Sequence, residues 1–134
     1  MENNVIVRIG KSDYTTEVSI GKHLLVADEP NELGGQDLGP TPLTILLSSL
    51  GTCKAITMRM YANQKNWPLE GIVLSLSAEI KKEGIQQQTF ISCAIELKGN
   101  LDDIQKERIS KIADKCPIQK MLSNPIHIES KIIS

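Results

Sequence analysis

Apolar and polar positions alternate with a period of two at the start of the chain, the mark of a strand with one packed face. Val5, Val7 and Ile9 share a face of a strand predicted over residues 4–9, and Tyr14, Thr16, Val18 and Ile20 share a face of a second over residues 13–20. Gly10-Lys11-Ser12 between them reads as a three-residue hairpin loop, and Gly21-Lys22 turns the chain into a third strand, His23–Ala27. Together these predict an antiparallel meander. Residues 28–40, rich in Gly, Pro and acids, form a connection long enough to suggest a functional or moving loop.

The period then changes to that of a helix. Thr41 is placed to N-cap it and Pro42 to occupy its first position, where a missing N–H costs nothing. Leu43, Leu46, Leu47, Leu50, Thr57, Met58 and Tyr61 follow at helical spacing, and Ile45, Ser49, Thr52, Ile56 and Met60 fill the opposite side. A helix apolar or small nearly all round is expected to be buried on several sides. It runs to about Lys65, where Trp67-Pro68 ends it, and its length of roughly 33 Å would cross a domain.

Strict alternation returns over residues 70–82, with Ile72, Leu74, Leu76, Ala78 and Ile80 inward and Ser75, Ser77, Glu79 and Lys81 outward. Glu83-Gly84 turns this strand into a partner over residues 86–98, with Ile91, Cys93, Ile95 and Leu97 inward. A helix over residues 102–115 is acidic at its start and buries Ile109, Ile112, Ala113 and Cys116. A short helix from Pro117 to Ser123 and a last strand over residues 126–133, with His127 outward, complete the order βββ-α-ββ-αα-β. That order predicts an α+β fold in one domain, residues 1–134, with the long helix packed on antiparallel sheets.

Charge and composition narrow the chemistry. A net charge of −1 argues against a nucleic-acid or membrane partner, and no apolar run is long enough to span a bilayer. Three cysteines without framework spacing, and no basic stretch leading into an apolar one, point to a reducing cytoplasmic setting. The glycines of residues 34–39 lack the Lys-Ser/Thr of a phosphate loop, and the cysteines and histidines lack metal spacing. Neither a metal nor a cofactor is expected. Asp28, Glu29, Glu32 and Asp37 read as a solvated loop, and Cys93 as a small core hydrophobe.

Cys53 and Cys116 differ from Cys93. Cys53 lies mid-helix beside Gly51 and Thr52, and Cys116 falls at the N-cap of the short helix, where amide groups and the dipole favour a thiolate. One cysteine on each of two core helices is what a dithiol–disulfide cycle needs, but packing alone would also place them there. Spacing leaves open whether the two meet.

The segments Gly39-Pro40-Thr41-Pro42 through Leu50-Gly51-Thr52-Cys53, and Ala113-Asp114-Lys115-Cys116-Pro117, resemble the OsmC/Ohr family of osmotically induced and organic hydroperoxide resistance proteins. The likeness spans nearly the whole length, with the Asp-Glu-Pro and Gly-Gly-Gln-Asp-Leu segments marking a branch of its own. It implies an intertwined homodimer with active sites at the interface. It also implies that Cys53 attacks the peroxide, that Cys116 resolves the sulfenic acid as a disulfide, and that a dithiol reductant reopens it. The substrate would be a hydroperoxide, or another small hydrophobic molecule.

The family's activating pair of Glu and Arg is altered. Leu43, followed by Thr44, stands where the Glu is expected, and Gln119 stands where related chains carry His. Arg8 is the arginine available in the meander, with Lys54 and Arg59 on the helix as other cations. Two functions follow: a thiol peroxidase using Cys53, Cys116 and Arg8, or a dimeric module that binds a small hydrophobic ligand or partner, with structural cysteines.

Overall fold

The computed structural model describes residues 4–134, which fall into two compact units, one ending at Leu46 and the other spanning Leu47–Ser134. In the first unit β1 (Val5–Ile9), β2 (Thr16–Ile20) and β3 (His23–Ala27) form an antiparallel sheet in the order β1-β2-β3. The register pairs Val7 with Val18 and Val18 with Leu25, so the alternating residues share one face as expected. β2 starts at Thr16 rather than Asp13. The Ser12 hydroxyl donates to the Thr15 carbonyl at 3.2 Å and the Thr16 hydroxyl to the Tyr14 carbonyl at 2.8 Å. Such local bonds compete with ladder pairing and widen the hairpin connection.

The connection that follows β3 is not a loose acidic loop. Asp28, only 2 % exposed, is its centre. The carboxylate accepts from the Glu29 amide at 2.7 Å, the Thr15 hydroxyl at 2.9 Å and the Leu38 amide at 3.3 Å. Burial pushes this carboxyl up, but the Glu29, Thr15, Leu38 and Gln36 bonds outweigh it and hold the pKa below the ordinary carboxylate value. The chain must press close to itself to do this. A Cβ on Gly35 would sit 2.0 Å from the Glu29 carbonyl oxygen, and one on Gly39 1.9 Å from that of Val26. A single 3-10 turn, Asn31–Leu33, lies within the loop.

The long helix α1 (Pro42–Lys65) begins where the sequence predicts. The Thr41 hydroxyl accepts from the Thr44 amide at 3.3 Å, the expected N-cap. Burial differs from expectation. Leu47, Leu50, Gly51, Lys54, Met58 and Ala62 make one buried stripe, while Ile56 and Met60 are 55 % and 66 % exposed. A single copy of the chain covers one side of this helix.

In the second unit β4 (Leu69–Glu83) and β5 (Gln86–Gly99) form a long two-stranded hairpin. Leu74 pairs with Ile95 and Leu76 with Cys93 on the half-buried face, and Ser75, Ser77 and Glu96 lie on the exposed one. α2 (Asp103–Ile112) opens with a capping box. The Gln105 amide donates to Asp102 Oδ1 at 2.8 Å, and the Asp102 amide to Gln105 Oε1 at 3.0 Å. A 3-10 turn, Ala113–Lys115, joins it to α3 (Pro117–Ser123). The core of this unit is Met58, Ala62, Leu69, Leu101, Ile109 and Ala113, with Tyr61 and Trp67 packed edge to face beside it at 5.5 Å.

The strand predicted over residues 126–133 does not form. Residues 124–134 carry no helix or strand, and Ile128, Ile132 and Ile133 are 84 % to 91 % exposed. Alternation alone does not make a strand; it needs an edge to pair with, and no strand among the described residues pairs with the segment.

Ile109 is fully buried at the centre of the second unit's core, so Ile109→Ala is expected to lose about 2–5 kcal/mol of stability, read as a lower urea midpoint with an unchanged slope.

Candidate functional site

α1 carries Cys53 in its middle, half-buried, with the Thr57 hydroxyl bonded to the Cys53 carbonyl at 2.8 Å. Cys116 lies at the junction of the 3-10 turn and α3, in extended backbone with φ −64° and ψ 137°. Its placement follows from the sequence: Pro117 suits the first turn of α3 and pushes the preceding residue out of helical backbone. Cys116 is therefore the N-cap, and its Sγ accepts from the Gln119 amide at 3.2 Å.

The Cys116 thiol interacts with Cys53, through a side-chain hydrogen bond and through its charge, and both cysteines are free thiols. Burial is the main cause that pushes the Cys116 thiol up from its ordinary value. The Gln119 and Ile118 amides oppose this, while the hydrogen bond and charge of Cys53 add to it. Buried Cys116 thus holds its proton more tightly than an ordinary thiol.

Lys54, one of the cations named from the sequence, is buried, which its sequence reading did not anticipate. Lys54 is 5 % exposed, and its Nζ donates to the Ala113 carbonyl at 3.3 Å, to Asp114 Oδ1 at 3.4 Å and to Gln119 Oε1. The signal was present in the spacing. Lys54 sits in the same helical stripe as Leu47, Leu50 and Met58, a place where a lysine must find partners or lose its charge. Lys54, Asp114, Gln119, Leu50, Ile91 and Cys93 border an open cavity of about 420 Å³. Cys93 itself stands on β5 opposite Leu76 and is half-buried.

Arg8 belongs to the first unit, exposed on β1, where its Nη1 donates to Ser19 Oγ at 3.3 Å and Glu17 faces it across the ladder. Leu43, on the first turn of α1, is 42 % exposed. Arg59 donates to the Leu69 carbonyl and so braces the start of β4. Among the described residues no three His, Cys, Asp or Glu side chains gather as a metal site, and no helix is long and apolar enough to cross a membrane.

Comparison with known proteins gives a consistent picture. Residues 34–131 match the family model described as OsmC-like protein. No curated protein matches the chain. Among solved structures, an OsmC-like protein from Mycoplasma pneumoniae superposes with a TM-score of 0.77 at 17% identity, covering 92% of this chain and 88% of that one. An organic hydroperoxide resistance protein OsmC from Legionella pneumophila gives 0.68 at 19%, covering 89% and 88%. An OsmC-like protein of unknown function from Vibrio cholerae gives 0.73 at 12%, covering 90% and 93%. At these identities the structural likeness is one of fold.

The state of Cys116 is measurable by alkylation, since only the thiolate reacts. The pH profile for Cys116 is expected to inflect above the ordinary thiol value, and Cys53→Ala should move that inflection down, because Cys53 is one of the causes that raise it.

Proposed function

The chain belongs to the OsmC-like protein family, and on that footing we propose that it is a thiol-dependent redox protein that reduces organic or other hydroperoxides. The observation that supports the reading is a half-buried Cys53 on α1 interacting with a buried Cys116 at the N-cap of α3. Cys53, half-buried on α1, is the sulfur that attacks; Cys116, buried and with its thiol pKa pushed up, is the one that resolves.

The chemistry balances in three steps. Cys53 thiolate takes the terminal oxygen of the hydroperoxide, the O–O bond breaks, and the alkoxide leaves as an alcohol after taking a proton. The Cys116 sulfur then attacks the Cys53 sulfenic acid, an S–S bond forms, and water leaves. A dithiol reductant finally returns both cysteines to thiols and becomes a disulfide itself. Closing the disulfide protects Cys53 from further oxidation to the sulfinic acid.

Arg8 enters this reading as the cation beside the attacking sulfur, the role that the family resemblance implies for an arginine of the meander. The active assembly in this reading is a homodimer with its sites at the interface. Its support is the apolar surface that one copy leaves uncovered: Ile56 and Met60 on α1, Val5 and Val7 on β1, and Ile128 and Ile132 in the terminal segment. A second reading, a dimeric module binding a small hydrophobic ligand, draws on Leu43 in place of an acid and on the burial of Cys116.

A turnover assay separates the two. With cumene hydroperoxide and a dihydrolipoyl dithiol as reductant, the wild-type protein is expected to consume dithiol catalytically. Cys53→Ser should abolish turnover, and Cys116→Ser should lower it at least about tenfold while leaving the first oxidation of Cys53 intact. Equal consumption by wild type and Cys53→Ser would leave the binding module as the better account.

A further inference from the structure

Lys54 links the two cysteine-bearing segments in a way the thiol cycle does not by itself require. Its backbone adjoins Cys53 on α1. Its ammonium binds the Ala113 carbonyl and the Asp114 carboxylate, both ahead of Cys116, and the Gln119 side-chain carbonyl beyond it. The contacts therefore straddle Cys116 in sequence. An ammonium has three N–H donors and no acceptor, so these acceptors use its whole capacity and let it lie 95 % out of water without an orphaned hydrogen.

Besides the packing of Ala113 and Cys116, the segment so gripped has only local hydrogen bonds. Cys116 has extended backbone between a 3-10 turn and a seven-residue helix; its amide reaches the Ala113 carbonyl at 3.4 Å and its carbonyl accepts from Lys120 at 3.2 Å. These bonds are all local. A disulfide tolerates little error in sulfur placement, so whatever fixes residues 113–119 on α1 sets how readily the bond closes. Gln119 contributes twice, with its side chain to Lys54 and its amide to Cys116 Sγ.

We propose that Lys54 is a positioning residue whose ammonium clamps the Ala113–Gln119 turn onto α1, holding Cys116 against Cys53 and raising the effective concentration of one thiol at the other. This deepens the thiol-cycle reading and rests on it for its biological use. The role is one of placement. Asp114 supplies a carboxylate to the ammonium, and the Cys116 thiol is held up by burial rather than drawn down by a cation.

The test equilibrates the full-length protein with mixtures of reduced and oxidised dithiothreitol and counts bridged molecules by mass after alkylation. Lys54→Met keeps the apolar stem and removes the ammonium; its equilibrium constant for the Cys53–Cys116 bond is expected to fall about tenfold, the effect of losing charged hydrogen bonds. Lys54→Arg should recover most of the loss. Gln119→Leu, which removes one arm of the clamp from a half-buried site, should act in the same direction and serves if Lys54→Met does not fold. Lys54→Met and Gln119→Leu both within about twofold of wild type would overturn the proposal. So would a shifted Cys116 alkylation profile with an unchanged bridge equilibrium, or a wild-type protein that forms no such bond. No peroxide enters this experiment, so a clamp effect without hydroperoxide turnover sinks only the peroxidase reading, and turnover without a clamp effect sinks only this inference.

Discussion

A lysine ammonium in the apolar stripe of the long helix is the constraint on which the thiol site depends. Burying that charge would cost several kcal/mol unless each of its hydrogens found an acceptor. The acceptors come from the turn between α2 and α3, so satisfying Lys54 also fixes where that turn lies on α1. Cys53 is the residue next to Lys54, and Cys116 is in the middle of the turn. The approach of the two sulfurs is then a consequence of charge satisfaction together with the packing of Met58, Ile109 and Ala113.

Local chemistry was the most legible part of the sequence. Thr41-Pro42 gave the start of α1, Trp67-Pro68 its end, and Cys116-Pro117 the cap of α3, because capping and proline geometry act within a few residues. Alternation gave the β4–β5 hairpin to within a residue or two at each end. What depended on partners distant in sequence was harder to read. Asp28 passed for one solvated acid among four, since nothing in its neighbours reveals that Thr15 and the Leu38 amide fold back onto it. Lys54 was legible as a cation near Cys53 but not as a buried one, because its partners lie about sixty positions away, although its place in the stripe carried the signal. The candidate site was legible as a pair of cysteines, and illegible as the clamp that joins them.

The terminal segment and the outer face of α1 tell a related story. Both have sequence patterns that call for burial, and both are exposed in a single copy, Met60 at 66 % and Ile132 at 91 %. In the homodimer proposed above, a second copy would cover surfaces that one chain leaves exposed, and the helix pattern of burial on several sides fits that proposal. Leu43, by contrast, is exposed on the first turn of α1, which Thr41 caps independently.

The central claim is that Cys53 and Cys116 form one redox pair within a chain while Cys93 stands aside. Disulfide mapping by mass spectrometry, after a stoichiometric diamide titration of the native protein under dilute conditions, tests this most directly. The account predicts a single intrachain Cys53–Cys116 link with Cys93 recovered as a free thiol. A link involving Cys93, or Cys53 and Cys116 both recovered reduced, would contradict it.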